Sequence, residues 1–211
     1  MKDINIISII ANGAVPNCDF LNQNLIGTDM IIAADGGADI CRKLQIKPQY
    51  IVGDLDSITE ETIEFFKQTE IIHIPDQNST DLEKSITFAR NFSPGSIRIF
   101  CASGNRIDHT MNNILHLQNL ENCEILEIFD DHGVMKILHP GENIIKGSQG
   151  NTISFFSLSK IKNLKLTNFE YVPDKSNFDQ NFCSISNVLT AEKGVISFSS
   201  GKLLVYQLLR S

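Results

Sequence analysis

Five short apolar runs alternate with amphipathic stretches over the first part of the chain, and that order is what most restricts the fold. The runs are Ile4 to Ile10, Met30 to Ala34, Tyr50 to Val52, Ile71 to Ile74 and Ile97 to Ala102. Between and after them, helical spacing is expected near residues 18–25, 38–44, 59–68, 81–91 and 108–120. The fourth stretch is the clearest: Leu82, Ile86 and Ala89 fall on one face, and Ser79 or Thr80 can cap its start. Strands separated by helices cannot pair through tight hairpins, so they are expected to lie parallel. After about Leu120 the pattern changes to short alternating runs separated by Gly, Asn, Asp or Pro, with no long helix. That predicts an antiparallel sandwich or barrel. The boundary is expected between residues 122 and 135, giving an α/β domain over 1–125 and an all-β domain over 126–211.

Composition narrows the functional classes. With 211 residues, 42% of them apolar and 20% charged, the chain can bury a real core. A net charge of -7 argues against general affinity for nucleic acid, so any phosphate site must be local. The five cysteines, at 18, 41, 101, 123 and 183, have no CxxC or zinc-ligand spacing and read as reduced core thiols. The N-terminal apolar run stops at Asn12, too short to span a membrane and without a cleavage signal, so a cytoplasmic protein with no membrane partner is expected. The glycosylation patterns at Asn78 and Asn91 then carry no weight.

The stretch "IVGDLDSI", Ile51 to Ile58, ends an apolar run in two carboxylates. If the chain stays extended, period-two geometry puts Asp54 and Asp56 on the same side, a pairing that suits Mg²⁺. A turn with an Asp cap is the competing reading. Other unusual residues also follow strands: "ADGGAD" (34–39) the second, "DQNSTD" (76–81) the fourth and "SGNRIDH" (103–109) the fifth. In open α/β sheets the strands' carboxyl ends form the ligand rim, so one rule gathers these segments.

At that rim Gly36 and Gly37 suggest close backbone approach or positive φ before a helix start. Arg106 offers a planar fork to phosphate oxygens, or else pairs with Asp108 on the surface. His109 is a proton carrier or, preferably, a polar helix-start residue. Asp81 joins Asp54 and Asp56 as a third acid, and such a cluster is tolerable if divalent ions are bound. Metal, Arg and glycine turns together describe phosphoryl-type transfer. There is no GxGxxG, which disfavours a nucleotide-linked oxidoreductase. "GENIIKGS" (141–148) only mimics a P-loop, because Lys146 precedes Gly147.

The ordered set "ADGGAD", "VGDLDS", "DQNSTDLEKSI", "GNRIDH" and "SISN" (184–187), followed by "GVISFSSGKLLV", resembles the thiamine pyrophosphokinases over nearly the whole length. The resemblance implies a Rossmann-like α/β catalytic domain, a C-terminal β-sandwich, and a homodimer whose thiamine sites use both subunits. It implies diphosphate transfer from ATP to the thiamine hydroxyl, giving thiamine diphosphate and AMP. Asp54, Asp56 and Asp81 would hold Mg²⁺, with Arg106 steadying the transferred group. Asp35, Gly36, Gly37, Gly53 and Ser57 would line the nucleotide, as would Thr80, Gly104, Asp108 and His109. Asp76 and Gln77 would face thiamine, joined by Ser184, Ser186 and Asn187.

Two departures stand out: Asn105 replaces a glycine of the family's loop, and the chain has no Trp. Either Tyr171, Phe182 or Phe198 stands in for the aromatic that some relatives place beside thiamine, or the packing there is looser. The alternatives are a diphosphotransferase for another alcohol and a regulatory module that binds nucleotide without turnover. The acid set argues against the second.

Overall fold

The computed structural model describes residues 4–104, 106–119, 125–179 and 182–209. Asn105, Leu120 and Cys123, all singled out above, lie outside the described residues. The chain divides into two compact units, Met1–Asp131 and His132–Ser211.

In the first unit the order is β1 (Ile6–Ile10), α1 (Cys18–Leu25), β2 (Met30–Ala34), α2 (Gly37–Lys43), β3 (Tyr50–Gly53) and α3 (Glu60–Phe65). It continues with β4 (Glu70–His73), α4 (Asp81–Arg90), β5 (Ser96–Phe100), α5 (Ile107–Asn119) and β6 (Ile125–Phe129). The strands lie in the order β6-β5-β1-β2-β3-β4, and every pair is parallel. Ile7, Ile9, Ile32, Ile51, Ile97 and Ile99 are fully buried, as strands in the middle of a parallel sheet require.

β6 corrects an expectation. Its alternating "ILEIF" was assigned to the antiparallel half, yet it pairs parallel to β5 from Ser96–Ile125 to Phe100–Phe129. Alternation reports which side of a strand is buried and says nothing about the direction of its neighbour. The first unit accordingly runs on to Asp131.

The strand order creates a crevice. The chain winds outward through β1, β2, β3 and β4, then crosses back to place β5 on the other side of β1. Crossovers diverge at that switch point, and ligands of open α/β sheets bind there. The tails of the two strands stay joined beyond the sheet, through Ala11 N to Phe100 O (2.9 Å), Gly13 N to Cys101 O (2.6 Å) and Ala14 N to Ser103 O (2.9 Å). Gly13 is obligatory there, because a Cβ would collide with the Cys101 carbonyl.

The second unit is all antiparallel. One sheet runs β11 (Cys183–Val188), β9 (Thr152–Ser157), β13 (Leu203–Leu208) and β7 (Gly133–Leu138). The other runs β10 (Lys165–Thr167), β12 (Lys193–Phe198) and β8 (Gly141–Lys146). One buried cluster joins Ile153, Phe155, Leu203 and Val205 of the first sheet to Ile145, Leu166 and Ile196 of the second. This is the expected sandwich.

Candidate active site

β2 ends at Ala34, and the next residue, Asp35, turns into the left-handed region at φ 43°. Its amide donates to the Val52 carbonyl (2.9 Å) and its carbonyl accepts from Ala38 N (2.9 Å), so the turn is held from both sides. The side chain points inward at 1% exposure. Oδ2 accepts from Ser57 N (3.1 Å), while Oδ1 is buried with no hydrogen-bond partner. Burial pushes the Asp35 pKa up, reinforced by the charge of Asp81, against the hydrogen bond from Ser57.

Asp54 follows the last residue of β3, and Asp81 opens α4 behind the Thr80 cap, whose hydroxyl and Glu83 form a reciprocal capping box. Carboxylate oxygens of Asp35, Asp54 and Asp81 all lie within 4.8 Å of one another. Gly53 makes that possible: a Cβ there would lie 2.8 Å from the Asp35 Cβ and 3.1 Å from Asp81 Oδ1. Lys84 Nζ bridges two of the acids, 2.9 Å from Asp54 Oδ2 and 3.1 Å from Asp81 Oδ1, with its side chain only 2% exposed. Gln77 Nε2 also donates to Asp54 Oδ2 (3.2 Å). The hydrogen bond from Lys84 is the main reason the Asp54 pKa is lowered.

Among the described residues the close-set acids are thus Asp35, Asp54 and Asp81, with Asp56 in the same cavity but outside that group. The expectation for Asp56 needed an extended chain, but Leu55 stands at φ 69° and breaks the period of two. Asp56 remains on the rim, where its Oδ1 accepts from Ser57 Oγ (2.8 Å). The glycines are corrected too. Gly36 has φ -56° and Gly37 opens α2, and neither takes positive φ. A Cβ on Gly36 would strike the Asn12 side chain and one on Gly37 the Ile10 carbonyl, so both serve close packing of α2 on β1. Positive φ falls instead on Asp35 and on Gly104 (φ 79°).

These groups share a cavity of about 690 Å³, large enough for a nucleotide-sized ligand. One wall carries Asp35, Asp54, Asp56, Ser57, Gln77, Thr80 and Asp81; Gly104, Arg106, Asp108 and His109 also line it. Gly36 lines it as well, whereas Gly37, Gly53 and Asp76 are not among the lining residues. Asp76 is exposed and organises its own loop, accepting from Asn78 N (3.1 Å) and Ser79 Oγ (2.6 Å). Arg106 and Asp108 form an exposed pair, Nε to Oδ1 at 3.1 Å, which lowers the Asp108 pKa to about 2. The fork is thus both paired and at the cavity mouth. Asn12, Lys84, Asn112 and Asn113 line the cavity beyond the residues that the sequence singles out, and Ser103 lines it as the first residue of the rim segment 103–109. Asn12 was findable, since it follows the end of β1 at the switch point.

Ser184, Ser186 and Asn187 belong to the second unit, on β11, where the register with β9 shifts between Ser184 and Asn187. Ser186 stands at φ 59° and donates its amide to Ser154 Oγ (3.1 Å). Asn187 is fully buried. Its Oδ1 accepts from Tyr171 N (3.0 Å) and its Nδ2 donates to Tyr171 O (2.7 Å) and Ser184 Oγ (3.2 Å). Asn187 thereby clamps the backbone of Tyr171, a residue that is 57% exposed, whereas Phe182 and Phe198 are core residues at 7% and 3%.

Comparison with known proteins gives one consistent result. Residues 21–128 match the family model for the thiamin pyrophosphokinase catalytic domain, and residues 142–203 match that for the thiamin pyrophosphokinase vitamin B1 binding domain. The thiamine pyrophosphokinase of Bacillus subtilis is 29% identical over 97% of this chain and 98% of its own. Thiamine pyrophosphokinase 1 of Oryza sativa is 37% identical across a shorter stretch, 42% of this chain and 37% of its own. Among solved structures, the Bacillus subtilis enzyme superposes with a TM-score of 0.85 at 27% identity, covering 97% of this chain and 99% of that one. The Candida albicans thiamin pyrophosphokinase shares the fold, with a TM-score of 0.84 at 19% identity over 98% of this chain and 89% of that one.

Proposed function

The chain belongs to the thiamin pyrophosphokinase family, and we propose that its first unit moves the diphosphate of ATP onto the thiamine hydroxyl, using Asp35, Asp54 and Asp81 as the cation-holding set. The observation that carries this is the gathering of those three carboxylates, one with an unpartnered buried oxygen, at the wall of a nucleotide-sized cavity. Three carboxylates and one ammonium leave a charge of -2, which a hard divalent ion such as Mg²⁺ would offset through oxygen ligands. When bound, that ion would supply charge neutralisation on the phosphates.

The chain's own residues perform the remaining tasks. Asn12, Gly13, Ser103 and Gly104 line the switch-point end of the cavity, where backbone amides and small polar groups can accept a nucleotide. The thiamine oxygen attacks the β-phosphorus, the bond from that phosphorus to the α,β-bridging oxygen breaks, and AMP departs. A carboxylate of the set takes the hydroxyl proton. Arg106, at the cavity mouth, steadies the transferred group by exchanging Asp108 for phosphate oxygens.

Thiamine is recognised in this proposal by the second unit, through the exposed residue Tyr171, offering a ring to a cationic heterocycle, and through Ser184, Ser186 and Asn187, the last of which holds the Tyr171 backbone. In the first unit Asp76 and Gln77 are the residues proposed to meet thiamine, Gln77 lying beside the acid set through its bond to Asp54. The working form is taken as a homodimer, supported by the exposed apolar surface of Tyr171, Val172 and Ile185. A cytoplasmic setting is supported by free thiols at Cys18, Cys41, Cys101 and Cys183. Among the described residues no helix is long and apolar enough to cross a membrane. The test is to mix the purified protein with ATP, Mg²⁺ and a panel of alcohols that includes thiamine. AMP and thiamine diphosphate in equal amounts are expected, and AMP formation with thiamine no faster than with water alone would overturn the proposal.

A further inference from the structure

Lys84 has no place in the acid set, yet it is the most deeply buried charge beside it. On a helix of about 3.6 residues per turn it lies roughly 200° from Leu82, away from the stripe that Leu82, Ile86 and Ala89 press into the core. Periodicity would send it to solvent. Instead its side chain is 2% exposed, and its ammonium sits between Asp54 and Asp81. A buried ammonium is tolerated when its charge is met by good partners, and here these are two of the three carboxylates that would hold a cation. The third, Asp35, keeps an unpartnered oxygen at the same centre.

We propose that Lys84 is a built-in counterion that competes with the divalent cation for Asp54 and Asp81, and so makes cation binding depend on nucleotide. This rests on the cation-and-nucleotide assignment above. A bare cation must share both acids with a positive charge about 3 Å from each oxygen, which raises the electrostatic cost of entry. A nucleotide brings phosphate oxygens that can take up the ammonium, releasing the acids at the moment the cation arrives. Cation and nucleotide then favour each other, and by linkage the enhancement is the same in both directions.

The experiment measures Mn²⁺ binding to the full chain by titration with spectroscopic detection of free ion, alone and with a non-hydrolysable ATP analogue. The proteins are wild type, Lys84→Met, which keeps the apolar stem without charge, and Lys84→Arg, which keeps the charge. Lys84→Met is expected to bind Mn²⁺ alone about tenfold more tightly, and the enhancement by the analogue to shrink by about the same factor. Lys84→Arg should stay near wild type. Unchanged or weaker Mn²⁺ binding by Lys84→Met would overturn the proposal, as would tightening by Lys84→Arg. Should Lys84→Met fold only when Mn²⁺ is supplied, the ion is replacing the lost charge and the proposal stands; if it fails to fold even then, Lys84→Gln takes its place with the same criteria. Formation of thiamine diphosphate by wild type is scored separately. Absent product with the expected Mn²⁺ pattern sinks the enzyme assignment and keeps the counterion, and the reverse pattern sinks only the counterion.

Discussion

Replacing Asp35 by Asn should yield a protein that is more stable and inactive. The carboxylate is buried at 1% exposure with one oxygen unpartnered, beside two other acids. Asn is nearly isosteric: its oxygen can keep the bond from Ser57 N, and its amide group would replace the orphaned Oδ1 with a donor facing carboxylates. Relief of an unsatisfied buried polar group is worth about 1–3 kcal/mol. For a chain of this size each kcal/mol moves the melting point by about 2–4 °C. The sign with pH is fixed by the direction of the shift. The folded-state pKa of Asp35 is raised above the ordinary carboxylate value of 3.8, so the folded protein holds this proton more tightly than the unfolded chain does. Its contribution therefore becomes less favourable as pH rises from the unfolded to the folded pKa, and remains unfavourable at neutral pH. Asp35→Asn deletes that penalty, so the gain should be present at pH 7 without divalent ions and vanish toward acid. Thermal melts across pH, paired with AMP release under Mg²⁺, provide the assay. A variant that melts below wild type at pH 7, or that turns over normally, would refute the reasoning. Asp56→Asn, outside the close set, is the control and should lose less activity.

Three further substitutions test neighbouring contacts. Asp54→Asn removes one of the two carboxylates paired with the Lys84 ammonium, and should abolish turnover and cost about 1–3 kcal/mol by thermal melt at neutral pH. Because the Asp54 pKa is lowered, that stability is present above the ordinary carboxylate value and is lost as pH falls through the folded pKa, so wild type and variant should converge in acid. Arg106→Lys keeps charge but loses the fork, and a steady-state assay should show a rate reduced about tenfold with an unchanged melting point, since the pair with Asp108 is exposed. Asn187→Ala strips partners from both backbone groups of Tyr171, and should destabilise the second unit by about 1–3 kcal/mol while raising the KM for thiamine more than that for ATP.

Much of the scaffold was legible because it depends on repeating patterns. Helix α1 and strand β2 match their expected bounds, and the buried side of α4 is the one that its apolar spacing marks. The misses occur where one residue departs from a pattern. Leu55 takes a left-handed conformation that Leu rarely adopts, and nothing in "DLD" announces it. With that angle the period of two is broken, and Asp56 is not one of the three carboxylates that lie within 4.8 Å of one another. Asp35 was visible as a rim residue, but its nearness to Asp81 depends on Gly53 lacking a side chain, a contact made across strands rather than along the chain. Lys84 was hidden for a related reason: helical periodicity describes what faces the core, and here the burial comes from the acids at the rim.

The site is thus over-supplied with negative charge on a chain that is already at -7. Such a surface would repel a free polyphosphate, so in the proposed reaction cation and nucleotide would arrive as compensating charges. Lys84 and Arg106 are the cationic side chains lining the cavity, one buried between acids and one exposed in a pair with Asp108. Each is already satisfied, and each is satisfied by a carboxylate. Substrate phosphate therefore gains little by meeting either cation unless the displaced carboxylate finds a new partner. For Asp54 and Asp81 that partner can be the incoming metal ion; for Asp108, with a side-chain exposure of 61%, it can be water. On the proposed reading the two cations are not interchangeable: exchange at Arg106 would be open to any phosphate at the mouth, whereas exchange at Lys84 would be coupled to the cation.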